Sequence, residues 1–76
     1  MTEDEIRQRL DLLDQLVGSM HNQIDAMAAR EAAATVAQYP IPYSNPALTG
    51  AKNRLIVRSS ELIERMQELH KQLVGG

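Results

Sequence analysis

The sequence predicts an all-α protein, an antiparallel hairpin of two long helices that self-associates into a helical bundle or ring. Apolar residues in the first part of the 76-residue chain follow a 4-3 spacing over three heptads. A second stripe of the same kind occupies the last third, and three prolines separate the two stripes. Because one amphipathic helix cannot cover its own stripe, each helix needs the other one or a second chain.

The first helix is expected to span about residues 3–37. Thr2 and Glu5 have capping-box spacing, and acidic residues fill the first turn, where the helix dipole favours them. An alanine-rich stretch then prolongs the helix, because alanine is the best helix former. Gly18 lies inside this helix and is explained equally well by a close helix contact or by an outer position. The apolar stripe consists of Ile6, Leu10, Leu13, Val17, Met20, Ile24 and Met27.

A proline-rich connector, about residues 38–50, ends the first helix. Three prolines within seven residues fix φ, remove backbone donors and push the preceding residues into extended conformations. Two starts of the second helical segment are open. Asn45 and Pro46 fit the N-cap and N1 positions of a short helical turn, whereas Thr49 fits an N-cap directly before the main helix.

The second helix is expected to cover about residues 51–74, before the final glycines. Only Ser59 interrupts its stripe, which consists of Leu55, Leu62, Met66, Leu69 and Leu73. Ile56 and Ile63 on this helix and Leu16 on the first make the apolar surface wider than a two-stranded seam needs. A four-helix dimer of hairpins fits that width, and a larger ring of hairpins satisfies the same pattern.

Size and composition limit the core that one chain can bury. The chain is one domain, residues 1–76, and a chain this short buries only a modest core. It contains no Cys for disulfides or thiolate metal sites, and no Phe or Trp. Self-association is the simplest way to add burial. The residues predicted to form the oligomer seam are Leu10, Leu13, Val17, Met20, Ile24, Met27, Leu62, Met66 and Leu69.

The chain shows no membrane or export signal. No stretch approaches the ~20 apolar residues of a membrane span. The acidic first residues lack the basic region and apolar core of a signal peptide. We therefore expect a cytoplasmic protein without membrane contact.

The middle of the chain is its only basic region. Residues 1–25 carry six acidic residues against two arginines, whereas residues 26–60 carry four basic residues against one acidic residue. The net charge of −2 argues against nonspecific nucleic-acid binding. In an antiparallel hairpin the basic residues surround the loop end, where the second helix also presents its free N–H groups.

This loop end is the candidate binding site. Aromatic rings for stacking, guanidinium groups for phosphate and a helix N-terminus fit an anionic nucleotide. A proline-rich, tyrosine-bearing connector also fits recognition of another protein. In the simpler alternative, the tyrosines pack over the hairpin end and the cations are solvated. The candidate residues are Arg30, Tyr39, Tyr43, Lys52, Arg54 and Arg58.

Catalytic and metal-binding groups are sparse. Ser59 and Ser60 have no adjacent Gly-rich elbow, and Gly50 lies in no phosphate-binding loop of the required spacing. His21 and Asp25 share a helix face, but nothing nearby completes a metal site, and a solvated polar face is the simpler interpretation. We expect no enzyme, no cofactor and no metal, since catalysis would require a site assembled from several chains.

The second helix resembles that of the small phage hairpin proteins that sequester cyclic nucleotides and so block bacterial CBASS immunity. The resemblance covers about twenty residues and is carried by Leu55, Val57, Ser60, Leu62, Glu64, Met66, Leu69 and Leu73. It implies a helical hairpin assembled into a compact oligomer that binds signals between chains. No binding residue of that family falls on a matching motif, so none is carried over.

Two functions are therefore expected from the sequence. The first is a non-catalytic oligomeric binding or assembly protein, which engages an unidentified protein through its connector and basic loop end. The alternative is a phage-type sponge that sequesters an anionic cyclic nucleotide between chains. The oligomer would be the scaffold in both.

Overall fold

Two helices make up nearly all of the described structure. The computed structural model describes residues 1–75, in which α1 spans Glu3–Gln38 and α2 spans Pro46–Gly75. The two helices pack against each other as a slender hairpin of 57 × 16 × 14 Å. No strand occurs within the described residues. The all-α hairpin predicted from the two apolar stripes is confirmed.

The first helix begins at the predicted cap and uses the whole alanine-rich stretch. The backbone N–H of Glu5 donates to Thr2 Oγ1 over 3.2 Å, as an N-cap requires. The helix then runs without interruption to Gln38, one residue beyond the predicted end. Tyr39 ends it, with its N–H donating to the carbonyl of Val36 over 3.4 Å. The proline that follows cannot continue the helical hydrogen bonds.

The second helix begins earlier than the predicted residue 51. The side chain of Asn45 accepts a hydrogen bond from the N–H of Leu48 over 3.1 Å, and Pro46 is the first helical residue. Asn45 is therefore the N-cap, with proline at the position where its missing N–H costs nothing. The short helical turn and the main helix are one continuous helix, in which Thr49 is an interior residue.

The two apolar stripes cover each other within the single chain. Ile6 and Leu10 form a buried cluster with Leu69, and further apolar residues from both helices pack against it: Leu13, Met66 and Leu73. The buried apolar residues of the described chain each keep 5–9% of their surface exposed: Ile6, Leu10, Val17, Leu62 and Leu69. The core is one layer of side chains between two helices, and solvent reaches both of its edges.

Two residues that broke the sequence pattern have different environments. Ser59 is 4% exposed, and its hydroxyl donates to the carbonyl of Ile56 over 2.9 Å. The residue that interrupts the second stripe is thus buried in the seam, with its polar atom satisfied inside its own helix. At Gly18 an added Cβ would meet nothing within 4 Å. Of the two explanations for Gly18, the outer position fits the chain.

Candidate functional site

The tip of the hairpin presents three large apolar side chains to solvent. Val36, Tyr39 and Ile41 are 78%, 83% and 69% exposed. They lie at the end of α1 and in the connector that follows it, where the N–H of Ile41 donates to the carbonyl of Gln38 over 2.7 Å. The backbone that carries these side chains is therefore tied to the last turn of a long helix.

The two tyrosines predicted as binding residues lie in different environments. Tyr39 is almost fully exposed, whereas Tyr43 is half-buried beside the start of α2. An exposed ring is available for stacking or insertion, and a half-buried ring contributes to packing of the connector. Of the pair, Tyr39 has the surface that a binding residue needs.

The predicted basic residue Lys52 is engaged by an acid of the opposite helix. Its Nζ lies 2.9 Å from Oε1 of Glu31, and the two side chains are only 22% and 26% exposed. Glu31 follows Met27 by four residues and so occupies the next position of the apolar stripe of α1. The contact between the two helices therefore continues at this level as a polar pair. The positive charge of Lys52 is therefore compensated within the chain.

Two of the predicted arginines share one shallow groove on α2. Arg54 and Arg58 line a groove of about 370 Å³ together with Val57, which is 58% exposed. Arg58 Nη1 already lies 3.1 Å from Glu61 Oε2, the i,i+3 pair that helical spacing predicts. Arg30 is exposed and is not one of the residues that line this groove. The structure thus brings together two of the four predicted cations.

The residues predicted as an oligomer seam face the other helix of their own chain. Those on α1 and α2 are buried or half-buried: Leu10, Leu13, Val17, Met20, Ile24, Met27, Leu62, Met66 and Leu69. Packing within the hairpin accounts for their apolar character. Contacts to a further chain would have to use the flanks of the hairpin, where both helices are exposed.

One flank carries an apolar groove of about 530 Å³ between the helices. Leu12 and Leu16 of α1 line it and are 59% and 50% exposed. Charged residues from both helices surround it, including Arg9 and Glu68. In the sequence, Leu16 widens the apolar stripe of the first helix. Leu12 lies on a further flank of the same helix, and the sequence did not indicate that Arg65 and Glu68 of α2 lie beside these leucines.

The His and Asp residues that share a face of α1 are not part of a larger group of metal-binding side chains in the described part of the chain. His21 and Asp25 are exposed, and no group of three His, Cys, Asp or Glu side chains within residues 1–75 is placed to hold a metal ion. Neither helix, as far as it is described, is long and apolar enough to cross a membrane.

The chain was compared with known protein families, curated proteins and solved structures. No protein-family model, no curated protein and no solved structure matches the chain.

Proposed function

We propose that the protein is a non-catalytic binding protein that presents the tip of its hairpin to a protein partner. The single observation that carries the proposal is the exposure of Val36, Tyr39 and Ile41, at 78%, 83% and 69%. Isolated exposed apolar residues are ordinary on protein surfaces. Three of them within six residues, at the end of an otherwise thin rod, form a patch of the kind that marks an interaction site.

The hairpin supports such a site at low entropic cost. The tip is joined directly to α1, and Asn45 caps α2 at its other end, so both ends of the connector are fixed. Two prolines within the connector restrict its backbone further. A segment ordered in advance loses less conformational entropy on binding, and rigid aromatic side chains give much contact area for few rotatable bonds. The matching partner is a protein with an apolar cleft.

Variant-resolved capture tests the proposal. The wild-type chain, a Tyr39→Ser/Ile41→Ser variant and an Ile56→Ser control are used as baits, and bound proteins are quantified by mass spectrometry. Ile56 is a matched control because it is 42% exposed and lies on α2, away from the connector. We expect at least one protein to remain with the control and to fall at least tenfold with the tip variant. Equal capture by all three baits would refute tip recognition.

A nucleotide sponge is the second candidate function. One observation favours it: Arg54 and Arg58 line the same groove, beside the exposed apolar surface of Val57. Arginine forks suit phosphate, and an apolar surface suits a base. Two further cations of the predicted set do not add to this groove, because Lys52 pairs with Glu31 and Arg30 lies outside its lining.

Calorimetric titration with a panel of cyclic mono- and dinucleotides tests the sponge. If the protein is a sponge, the wild type binds at least one nucleotide of the panel, and the Arg54→Ala/Arg58→Ala variant does not bind that nucleotide. An Arg65→Ala/Arg9→Ala variant, with the same change of charge on the flank groove, keeps it. If the wild type releases no heat with any member of the panel, the sponge is excluded and the tip remains the candidate site.

A further inference from the structure

The flank groove, the apolar groove of about 530 Å³ that Leu12 and Leu16 line between the helices, lies outside the hairpin seam. Leu12 and Leu16 stand one helical turn apart on α1, half or more exposed. Leu13 and the buried Leu69 form the floor between the two helices. A groove with an apolar floor and two projecting leucines is the shape into which another helical surface packs. It lies on the side of the hairpin, separate from the tip.

The charges around the groove are arranged on opposite sides. Arg9 lies on the α1 side and Glu68 on the α2 side of the same groove. The ion pairs formed within residues 1–75 join Arg7 to Glu3, Lys52 to Glu31 and Arg58 to Glu61. Arg9 and Glu68 take part in none of these described pairs. Arg65 also lines the groove on the α2 side, so each copy offers the base Arg9 on one side, and the acid Glu68 together with the base Arg65 on the other.

We infer that the groove is occupied by a second copy of this chain, related by a two-fold axis parallel to the hairpin. Such an axis places α1 of each copy on α2 of the other. Arg9 then faces Glu68 of the second copy, and the pairing occurs twice because the contact is isologous. The leucines of each copy lie over the partner's groove. The result is a four-helix bundle with both tips at the same end.

The alternative two-fold axis lies across the hairpin and does not place Arg9 opposite Glu68 of the second copy. It places α1 on α1 and α2 on α2 in opposite directions. Where this axis passes Arg65, which lines the groove on α2, Arg65 faces Arg65 of the second copy. Like charges opposite each other weaken an interface and select against it. The parallel axis avoids this contact and places Arg9 opposite Glu68 of the second copy, which is the orientation we infer.

The size of the face agrees with a stable dimer. The hairpin is 57 Å long and 14–16 Å across, so side-by-side packing covers roughly the 800 Å² per partner of standard protein interfaces. The single-layer core explains why such contact is useful. The buried apolar residues still keep 5–9% of their surface exposed, and a second hairpin would shield one open edge of that layer.

A charge-swap experiment tests both the occupant and the orientation. In an Arg9→Glu dimer, the new glutamate of each copy faces Glu68 of the other copy. In a Glu68→Arg dimer, the new arginine of each copy faces Arg9 of the other copy. We expect each variant to have the mass of one chain, 8.5 kDa, in light scattering, whereas the wild type has twice that mass. Mixing the two variants creates two attractive pairs and restores the doubled mass. Arg7→Glu, the same change on the opposite flank, leaves the dimer intact.

Two outcomes would overturn the inference. The first is a wild-type chain that keeps the mass of a monomer up to millimolar concentration. The second is a mixture of the two charge variants that stays monomeric while circular dichroism shows both to be helical. Leu12→Gln/Leu16→Gln provides an independent check, since these side chains are exposed in the hairpin and their loss is expected to abolish the dimer without unfolding. The inference does not rest on tip recognition, and Tyr39→Ser/Ile41→Ser should remain dimeric.

Discussion

Glu31 and Lys52 form an ion pair that joins α1 to α2 near the tip of the hairpin. The carboxylate Oε1 and the ammonium Nζ are 2.9 Å apart, and both side chains are mostly buried. Among the described residues it is the one ion pair that spans the two helices, since the others join neighbours on a single helix. A polar pair at a seam position fixes which residues of two helices lie opposite each other.

Breaking this pair from one side should destabilise the hairpin. Lys52→Met leaves the carboxylate of Glu31 half-buried without its countercharge. We expect a loss of about 1–2 kcal/mol, smaller than for a fully buried pair because solvent still screens the charge. Replacing both residues by Leu should restore or exceed the wild-type stability. Urea unfolding followed by circular dichroism measures both, and an unchanged midpoint for Lys52→Met would contradict this account of the pair.

Ser59 should tolerate a smaller side chain and reject a larger one. Its hydroxyl bonds only to a carbonyl of its own helix, so Ser59→Ala should be neutral or gain about 0.5 kcal/mol from helix propensity. The site is 4% exposed, so a branched side chain would have to fit among the neighbouring side chains of the seam. Ser59→Leu, which would complete the stripe, should cost about 1–3 kcal/mol through overpacking. Thermal unfolding of both variants decides the question, and stabilisation by Leu would show unused space.

The helices could be predicted because their signals are local. Thr2 and the prolines mark the limits of α1, and the 4-3 spacing of apolar residues identifies the face that packs. The predicted start of α2, at residue 51, was wrong. Asn45 and Thr49 are both good N-cap residues, and only the path of the connector determines which of them caps the helix. The partnership of Lys52 was missed for a related reason. Its pairing with Glu31 depends on how the two helices are aligned along their length. The length of the connector sets this alignment, and the periodicity of the apolar residues does not determine it.

Gly18→Ala should stabilise the hairpin. An added methyl group meets no neighbour within 4 Å, and alanine favours the helix over glycine by about 1 kcal/mol. For a chain of this size that gain corresponds to a rise in Tm of about 4–8 °C. A calorimetric scan measures it directly. A fall in Tm would mean that another chain approaches the backbone at Gly18.

Asn45→Ala should weaken the start of α2. It removes the side-chain oxygen that accepts the N–H of Leu48, at an expected cost of about 1 kcal/mol. Asn45→Asp keeps an acceptor and should retain the wild-type stability. Thr49→Ala is the informative control, because Thr49 was the alternative cap and is an interior helical residue in the structure. Equal losses for Asn45→Ala and Thr49→Ala in urea unfolding would contradict the observed cap.

The candidate site could be predicted only in outline. The charge distribution and the tyrosines of the connector predicted a binding site at the loop end, where the structure exposes Tyr39. The pattern could not separate Tyr39 from Tyr43, since burial depends on how the connector folds over α2. The flank groove also could not be predicted from the spacing of residues in the sequence. Arg9 and Glu68 are far apart in sequence, and only the antiparallel register places them on one groove.

The most direct test is whether the two apolar stripes close within one chain. Glu3 and Gln72 line one groove at the open end of the hairpin, and the chain has no native cysteine, so cysteines at these two positions accept a donor and an acceptor dye. The doubly labelled chain is diluted with excess unlabelled protein before energy transfer is measured. The account predicts high transfer that dilution does not alter. Low transfer would contradict it, because helices that separate and pair with other chains would hold the two dyes about 50 Å or more apart.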